Sequence, residues 1–141
     1  MIRTLALTAL FSALVGPAWA ASENWIPTSN TAEQFIGPMK FSPERIDFRN
    51  GKFVTIAQAG TTPYVDETRA KVNATVCRVT GKGPGGDVLC DGKAAFILVW
   101  TSRPLGGDVA PRAINAFKGD RFVMGGPDDC GVFRFDAGRR R

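Results

Sequence analysis

The sequence of 141 residues contains no histidine. That absence removes the usual base for activating a serine or cysteine nucleophile and the imidazole ligand of most catalytic zinc sites. A serine–lysine dyad is missing as well, because no serine has a lysine three positions after it. Only three cysteines are present, too few and too widely spaced for a structural zinc cluster. There is one tyrosine, and no second long apolar run follows the first fifteen residues. Basic residues do not form a broad patch, since the only dense run is Arg139-Arg140-Arg141.

What is present begins with a leader. Arg3 supplies a positive start, Leu5–Val15 an apolar stretch, and Gly16-Pro17 breaks it before Ala18-Trp19-Ala20. Small residues at Ala18 and Ala20 match an Ala-x-Ala cleavage site, so residues 1–20 are expected to be a signal peptide and the mature chain to begin at Ala21. The apolar stretch falls short of the roughly 20 residues that a membrane-spanning helix needs. The short leader is bacterial in style, which places the mature protein in the periplasm or outside the cell. Losing Arg3 from the 18 basic residues leaves 17 against 13 acids, and the last three of those 17 are the terminal arginines. The body is therefore nearly neutral with a basic tail at 137–141, which gives no reason to expect a nucleic-acid partner.

Ala94–Ser102 organises the rest: Phe96, Leu98 and Trp100 alternate with Ile97 and Val99, so both faces of an extended segment are apolar. Such a run, bounded by Asp91-Gly92 and Arg103-Pro104, predicts a strand buried on both sides. Arg45–Phe48 and Phe53–Ile56 flank Asn50-Gly51, a strong hairpin signal because both residues tolerate positive φ. A tight turn there would set Phe48 opposite Phe53. Lys71–Thr80 alternates, with Val72, Ala74 and Val76 on one face and the more polar Asn73, Thr75 and Cys77 on the other. Gly81–Gly86 reads as a turn, with Asp87–Cys90 starting the return strand. Arg121–Met124 and Gly131–Phe135 are further short strands, while Arg112–Phe117 is a strand or a helical turn. Sixteen glycines and nine prolines among short strands point to an all-β fold. We expect a single small antiparallel barrel or sandwich of about seven or eight strands over 34–136. Residues 21–33 are expected to be a flexible lead-in, and Gln34–Phe41 an edge strand at most.

The chemical motifs are sparse. Gly81–Gly86 lacks the Gly-Lys-Ser/Thr ending and the following helix of a phosphate loop. Asp128-Asp129 and Asp66-Glu67 are adjacent acids in turns and do not have calcium-loop spacing. Paired carboxylates from Asp66, Glu67, Asp120, Asp128 and Asp129 would suit a hydrolase only if two stood about 5–9 Å apart across a groove. No cofactor or metal site is expected. The loops Ala59–Arg69 and Ser102–Pro111 are the candidate recognition surface, with Tyr64, Asp66, Glu67, Arg103, Asp108 and Arg112 as candidate binding residues.

Three cysteines in an exported chain imply one disulfide and one spare thiol. If Val79 pairs with Val88, Cys77 falls opposite Cys90 and can bridge it; Cys90–Cys130 instead closes a longer loop. Chain entropy values the longer loop at roughly 4 kcal/mol and the shorter at roughly 3. The motifs Val88-Leu89-Cys90-Asp91-Gly92 and Asp128-Asp129-Cys130-Gly131-Val132-Phe133, with an apolar strand between, resemble a group of small exported bacterial proteins of unknown function. The likeness spans Gly37–Phe135. It implies pairing of Cys90 with Cys130, leaves Cys77 as a free thiol, and carries no activity. Since Cys77 shares the more polar face, Cys77→Ser is expected to fold almost normally. The expected role is a non-catalytic binding or interaction module of the cell envelope. Its partner would be another protein or a surface polymer, and no membrane span is expected. The alternatives are a carboxylate-dependent hydrolase and a purely structural envelope protein.

Overall fold

The computed structural model describes residues 22–83, 88–101 and 110–137. Residues 1–20, expected to be a signal peptide, lie outside the described residues, as do Arg103, Asp108 and the arginine tail. Eight antiparallel strands follow one another around a closed barrel in sequence order. They are β1 (Glu23–Pro27), β2 (Met39–Phe41), β3 (Arg45–Asp47), β4 (Phe53–Val65), β5 (Lys71–Lys82), β6 (Phe96–Thr101), β7 (Pro111–Phe117) and β8 (Asp129–Asp136). The ring closes where Ile26 and Pro27 of β1 pair with Asp136 and Phe135 of β8. The one α-helix among the described residues, α1 (Asn30–Phe35), follows β1.

Two apolar clusters lie on the two faces of this sheet. The larger draws buried residues from every strand, among them Trp25, Phe41, Ile46, Val54, Cys77, Ile97, Ile114 and Phe135. The inside is the only face that all eight strands of a closed ring share, so this cluster fills the barrel. An eight-stranded ring is just wide enough for its own side chains to occupy it. Trp25 sits among them, stacked on Phe41 with ring centroids 4.5 Å apart and tilted against Phe135 at 5.7 Å. The second cluster draws only on β4 to β8, with Tyr64, Ala74, Val76, Leu98, Trp100, Ala113 and Phe117, and is therefore outside. A strap of residues 118–128 covers it. Phe122 packs against Phe96 and Phe117, and the strap is closed at its base by Lys118 N donating to Asp128 O at 3.0 Å. This explains the continuous apolar run of β6: Ile97 and Val99 point in, whereas Leu98 and Trp100 point out under cover.

Several expectations need correction. Residues 21–33 are not a loose lead-in, since β1 closes the barrel and α1 packs on its interior through Ala32 and Ile36. Ser29 caps α1 by accepting from Ala32 N at 3.2 Å, and Gly37 ends it at φ +74°. The β3–β4 hairpin forms with Asn50 and Gly51 both at positive φ, but its register differs by one residue. Phe53 faces Asp47, and Phe48 donates its amide to Lys52. A one-residue slip reverses the faces, so Phe48 enters the core while Phe53 lies outside under the Arg45 guanidinium, 3.6 Å from its ring centroid.

Among the described residues, 88–90 do not start a return strand, and Gly81 and Lys82 still belong to β5. Leu89–Gly92 is a short 3-10 segment with Cys90 and Asp91 at positive φ, and Cys77 pairs with Ile97. Cys90 is joined to Cys130, with Cα atoms 5.3 Å apart. Cys77 is free, but it does not lie on a polar side: it is fully buried inside the barrel. Residues 121–124 belong to the strap and form no strand, and Arg112–Phe117 belongs to β7. The polar loop expected at 59–69 shrinks to a turn at 66–70, because β4 runs on through Val65.

Candidate functional site

Strands β4 and β5 outrun their neighbours. The pairing of β5 with β6 starts at Thr75, yet β5 pairs with β4 down to Lys71 opposite Val65. The excess is a two-stranded arm beyond the barrel rim. Between arm and rim lies a groove of about 750 Å³, whose polar wall includes Asp66, Lys71, Asn73, Thr101, Arg112 and Arg134. Thr68 adds a hydroxyl, and Val72, Pro111 and Phe135 provide the apolar part of the wall.

The arm ends in a turn that Asp66 builds. Its Oδ1 accepts from Thr68 N at 2.9 Å, Thr68 Oγ1 at 2.6 Å and Ala70 N at 3.0 Å. An aspartate that receives the amides of its own turn fixes the backbone there. Burial opposes its charge, but the Thr68 and Ala70 hydrogen bonds and the Arg134 guanidinium outweigh it and hold the carboxyl below its ordinary value. Arg134 reaches from β8 to this turn. Its Nη2 stands 3.7 Å from Asp66 Oδ2, and its Nε donates to Glu67 Oε1 at 2.5 Å. Opposite, Arg112 at the start of β7 pairs with Glu23 of β1 at 3.1 Å. The Arg112 Nε is buried with no acceptor among the described residues.

Asp66 and Arg112 thus share one groove, and Glu67 is tied to it through Arg134. Tyr64 does not belong there. It is buried in the outer cluster, where its hydroxyl accepts from Asn115 Nδ2 at 2.5 Å. Burial raises the phenol to about 12, helped by the charges of Asp129, Glu67 and Asp66 and opposed by the Asn115 bond. Lys71, Asn73, Thr101, Arg134 and Glu23 were missed by sequence reasoning. The available signal for Arg134 was its place between Phe133 and Phe135, a charge on the outward face of an alternating strand.

One acid of each pair, Asp66 and Asp129, serves the backbone. Asp129 accepts from Gly125 N at 2.7 Å through one oxygen and from Gly131 N at 2.8 Å through the other. No group of three or more potential metal-ligating side chains forms among the described residues. Likewise, no helix there is long and apolar enough to cross a membrane. Burial pushes the Cys77 thiol to about 12, so it stays protonated. At the other end of the barrel, a smaller pocket of about 360 Å³ lies between the disulfide and α1, with Phe35 left 62% exposed on its rim. No protein-family model, no curated protein and no solved structure matches this chain.

Proposed function

We propose that the protein is exported and acts as a non-catalytic binding module of the cell envelope, with the groove between arm and rim as its ligand surface. The observation that carries this reading is the filled barrel: an interior occupied by Trp25, Phe41 and their neighbours leaves recognition to the outside. The groove has the size of ordinary ligand sites, roughly 300–1,000 Å³. Its polar side chains are held by the arm turn and by two ion pairs on the rigid sheet. Charged and hydrogen-bonding side chains outnumber apolar ones along its described lining, while most of the surface between them is carbon, a mixture that supports a polymer carrying both hydroxyls and apolar ring faces. The acid pair at the arm turn supports a binding role over a hydrolytic one. General-acid work needs a carboxyl kept protonated near neutrality, whereas Asp66 is pushed the other way. The Cys90–Cys130 disulfide is in keeping with an oxidising compartment.

Amide NMR of the isotope-labelled mature protein tests the ligand surface. Adding envelope oligosaccharides should move resonances of Lys71, Asn73, Thr101 and Arg112. Changes confined to Phe35, Lys118 and Val132 at the opposite end would overturn the assignment. Mass spectrometry of the product expressed with its leader should give Ala21 as the first residue in the periplasmic or secreted fraction. A chain beginning at Met1 and held in the membrane would remove the export part of the proposal.

A further inference from the structure

Resting on that reading, we infer that the groove takes the acidic groups, carboxylate or phosphate, of a saccharide polymer rather than a neutral sugar. The argument starts from which charges form the wall and which stand behind it. Among the described residues, three cations, Lys71, Arg112 and Arg134, line the groove against one carboxylate, Asp66. Glu23 and Glu67, which balance the two arginines, are not among its lining residues. A ligand inside therefore meets guanidinium and ammonium groups first.

The one lining acid is a poor acceptor for a ligand. Its Oδ1 is already used by three donors of its own turn, and its Oδ2 faces Arg134. It fixes the arm and does not compete for the site with an incoming anion. Lys71 and Arg112 have donor capacity to spare. Lys71 is exposed and has no acidic partner among the described residues. Arg112 engages Glu23 through Nη2 at 3.1 Å and the Pro111 carbonyl through Nη1 at 3.5 Å, which leaves a second N–H on each terminal nitrogen uncommitted. A planar guanidinium with unused N–H groups suits the two oxygens of a carboxylate or a phosphate. Val72, Pro111 and Phe135 in the same wall exclude water on one side, which strengthens such contacts relative to open solvent. Asn73, Thr68 and Thr101 are exposed and line the groove, placed to hydrogen-bond the hydroxyls of the sugar that carries the acid. Nothing among these residues presents an aromatic face for stacking a neutral sugar, since Phe135 is 1% exposed.

The test compares three probes of similar length on the mature protein by calorimetry and amide NMR: oligogalacturonate, inorganic polyphosphate and a neutral malto-oligosaccharide. At least one anionic probe should bind, with resonance changes at Lys71, Asn73 and Arg112. Its affinity should fall as salt rises from about 50 to about 200 mM, across which charge screening tightens. Lys71→Glu changes an exposed side chain without a partner and should leave the fold intact while weakening that probe by about tenfold or more, equal to ~1.4 kcal/mol. Arg112→Gln should weaken it further, and retained amide dispersion would show that the barrel survives. Binding of the neutral probe in the groove, with no preference for acid, would overturn this inference and leave the binding-module reading standing. Binding of an anion that moves only resonances away from the groove would overturn the groove itself. Binding of no probe, or indifference to Lys71→Glu, would overturn the acidic-ligand inference.

Discussion

The two faces of the same sheet are built differently. The inside is a closed volume, filled mostly by Ile, Val, Phe and Trp side chains from eight strands. The outside cluster, on β4 to β8, is richer in aromatic groups and keeps polar atoms: Tyr64 and Asn115 bond to each other, and both approach Met124 Sδ, at 3.9 and 4.0 Å. Asn115 Oδ1 and the Trp100 indole nitrogen are buried there without a hydrogen-bond partner among the described residues. The difference follows from what does the covering. A ring of strands hydrogen-bonded on both sides cannot relax outward, so the interior demands close packing of apolar shapes. A strap held by turns at its ends can shift to meet what lies beneath it. The inner face therefore specifies the barrel, while the outer face is an addition that the barrel can lose in part.

That contrast can be broken by experiment. The largest effect should come from Cys90→Ser or Cys130→Ser, because both sulfurs pack against the inner cluster and the bridge spans 40 residues. Chain entropy alone predicts a loss of about 4 kcal/mol in denaturant unfolding without reductant. Next, Ile97→Ala inside the barrel should cost about 3 kcal/mol, as large-to-small changes in closed cores do. Phe122→Ala, in the half-buried strap, should cost only about 1 kcal/mol. Equal losses from these two would show that the strap is as integral as the ring.

Cys77 sharpens the inner side of the comparison. With the thiol inside an apolar barrel, Cys77→Ser buries a hydroxyl and should cost about 1–3 kcal/mol, contrary to the expectation drawn from its polar strand neighbours. Cys77→Ala should cost less, and alkylation of the native protein should be slow until it unfolds. The pH dependence carries a definite sign. A thiol or phenol is neutral when protonated, so a raised folded value means that the folded chain holds its proton more tightly than the unfolded one. The contribution of Cys77 is complete below its ordinary value of 9.0 and is lost as pH climbs towards about 12. Tyr64 on the outer face does the same from 10.0 to about 12. Stability should therefore fall with rising pH in that window, less steeply in Cys77→Ala. Asp66 acts at the other extreme, where its contribution is present above 3.8 and disappears as acid protonates it in the folded state. The smallest effect should come from removing Arg139–Arg141: a melting temperature within about a degree of the intact chain is expected for a terminal run of like charges.

The same contrast decides what could be read from the chain. Phe96–Trp100 announced a strand covered on both sides because every position is apolar, and Asn50-Gly51 announced a hairpin through the backbone conformation it allows. The face of Cys77 was misread for a physical reason. Val72, Ala74 and Val76 look like the inner face of β5, yet they lie under the outer cover, and nothing local in the sequence of β5 reports a strap forty residues away. Helix α1 has six residues, too few for a period to show, and its markers were only the Ser29 cap and Gly37. In the groove, Asp66 and Arg112 were legible as charges beside turns. Lys71 and Arg134 were not, because their meeting depends on how far β4 and β5 outrun their neighbours.

Closure through β1 and β8 has a kinetic consequence. Trp25 comes near the beginning of the chain and Phe135 near its end, yet they touch. The ring cannot be completed until β8 has been synthesised, because the β1–β8 seam joins residues more than a hundred positions apart while every other pairing joins neighbours in the sequence. Loop-closure entropy opposes this one pairing far more than the seven local ones, so the seam should close after them. Until its last strand is in place the sheet is an open curl, with the edges of β1 and β8 unpaired and available to any other extended strand they meet.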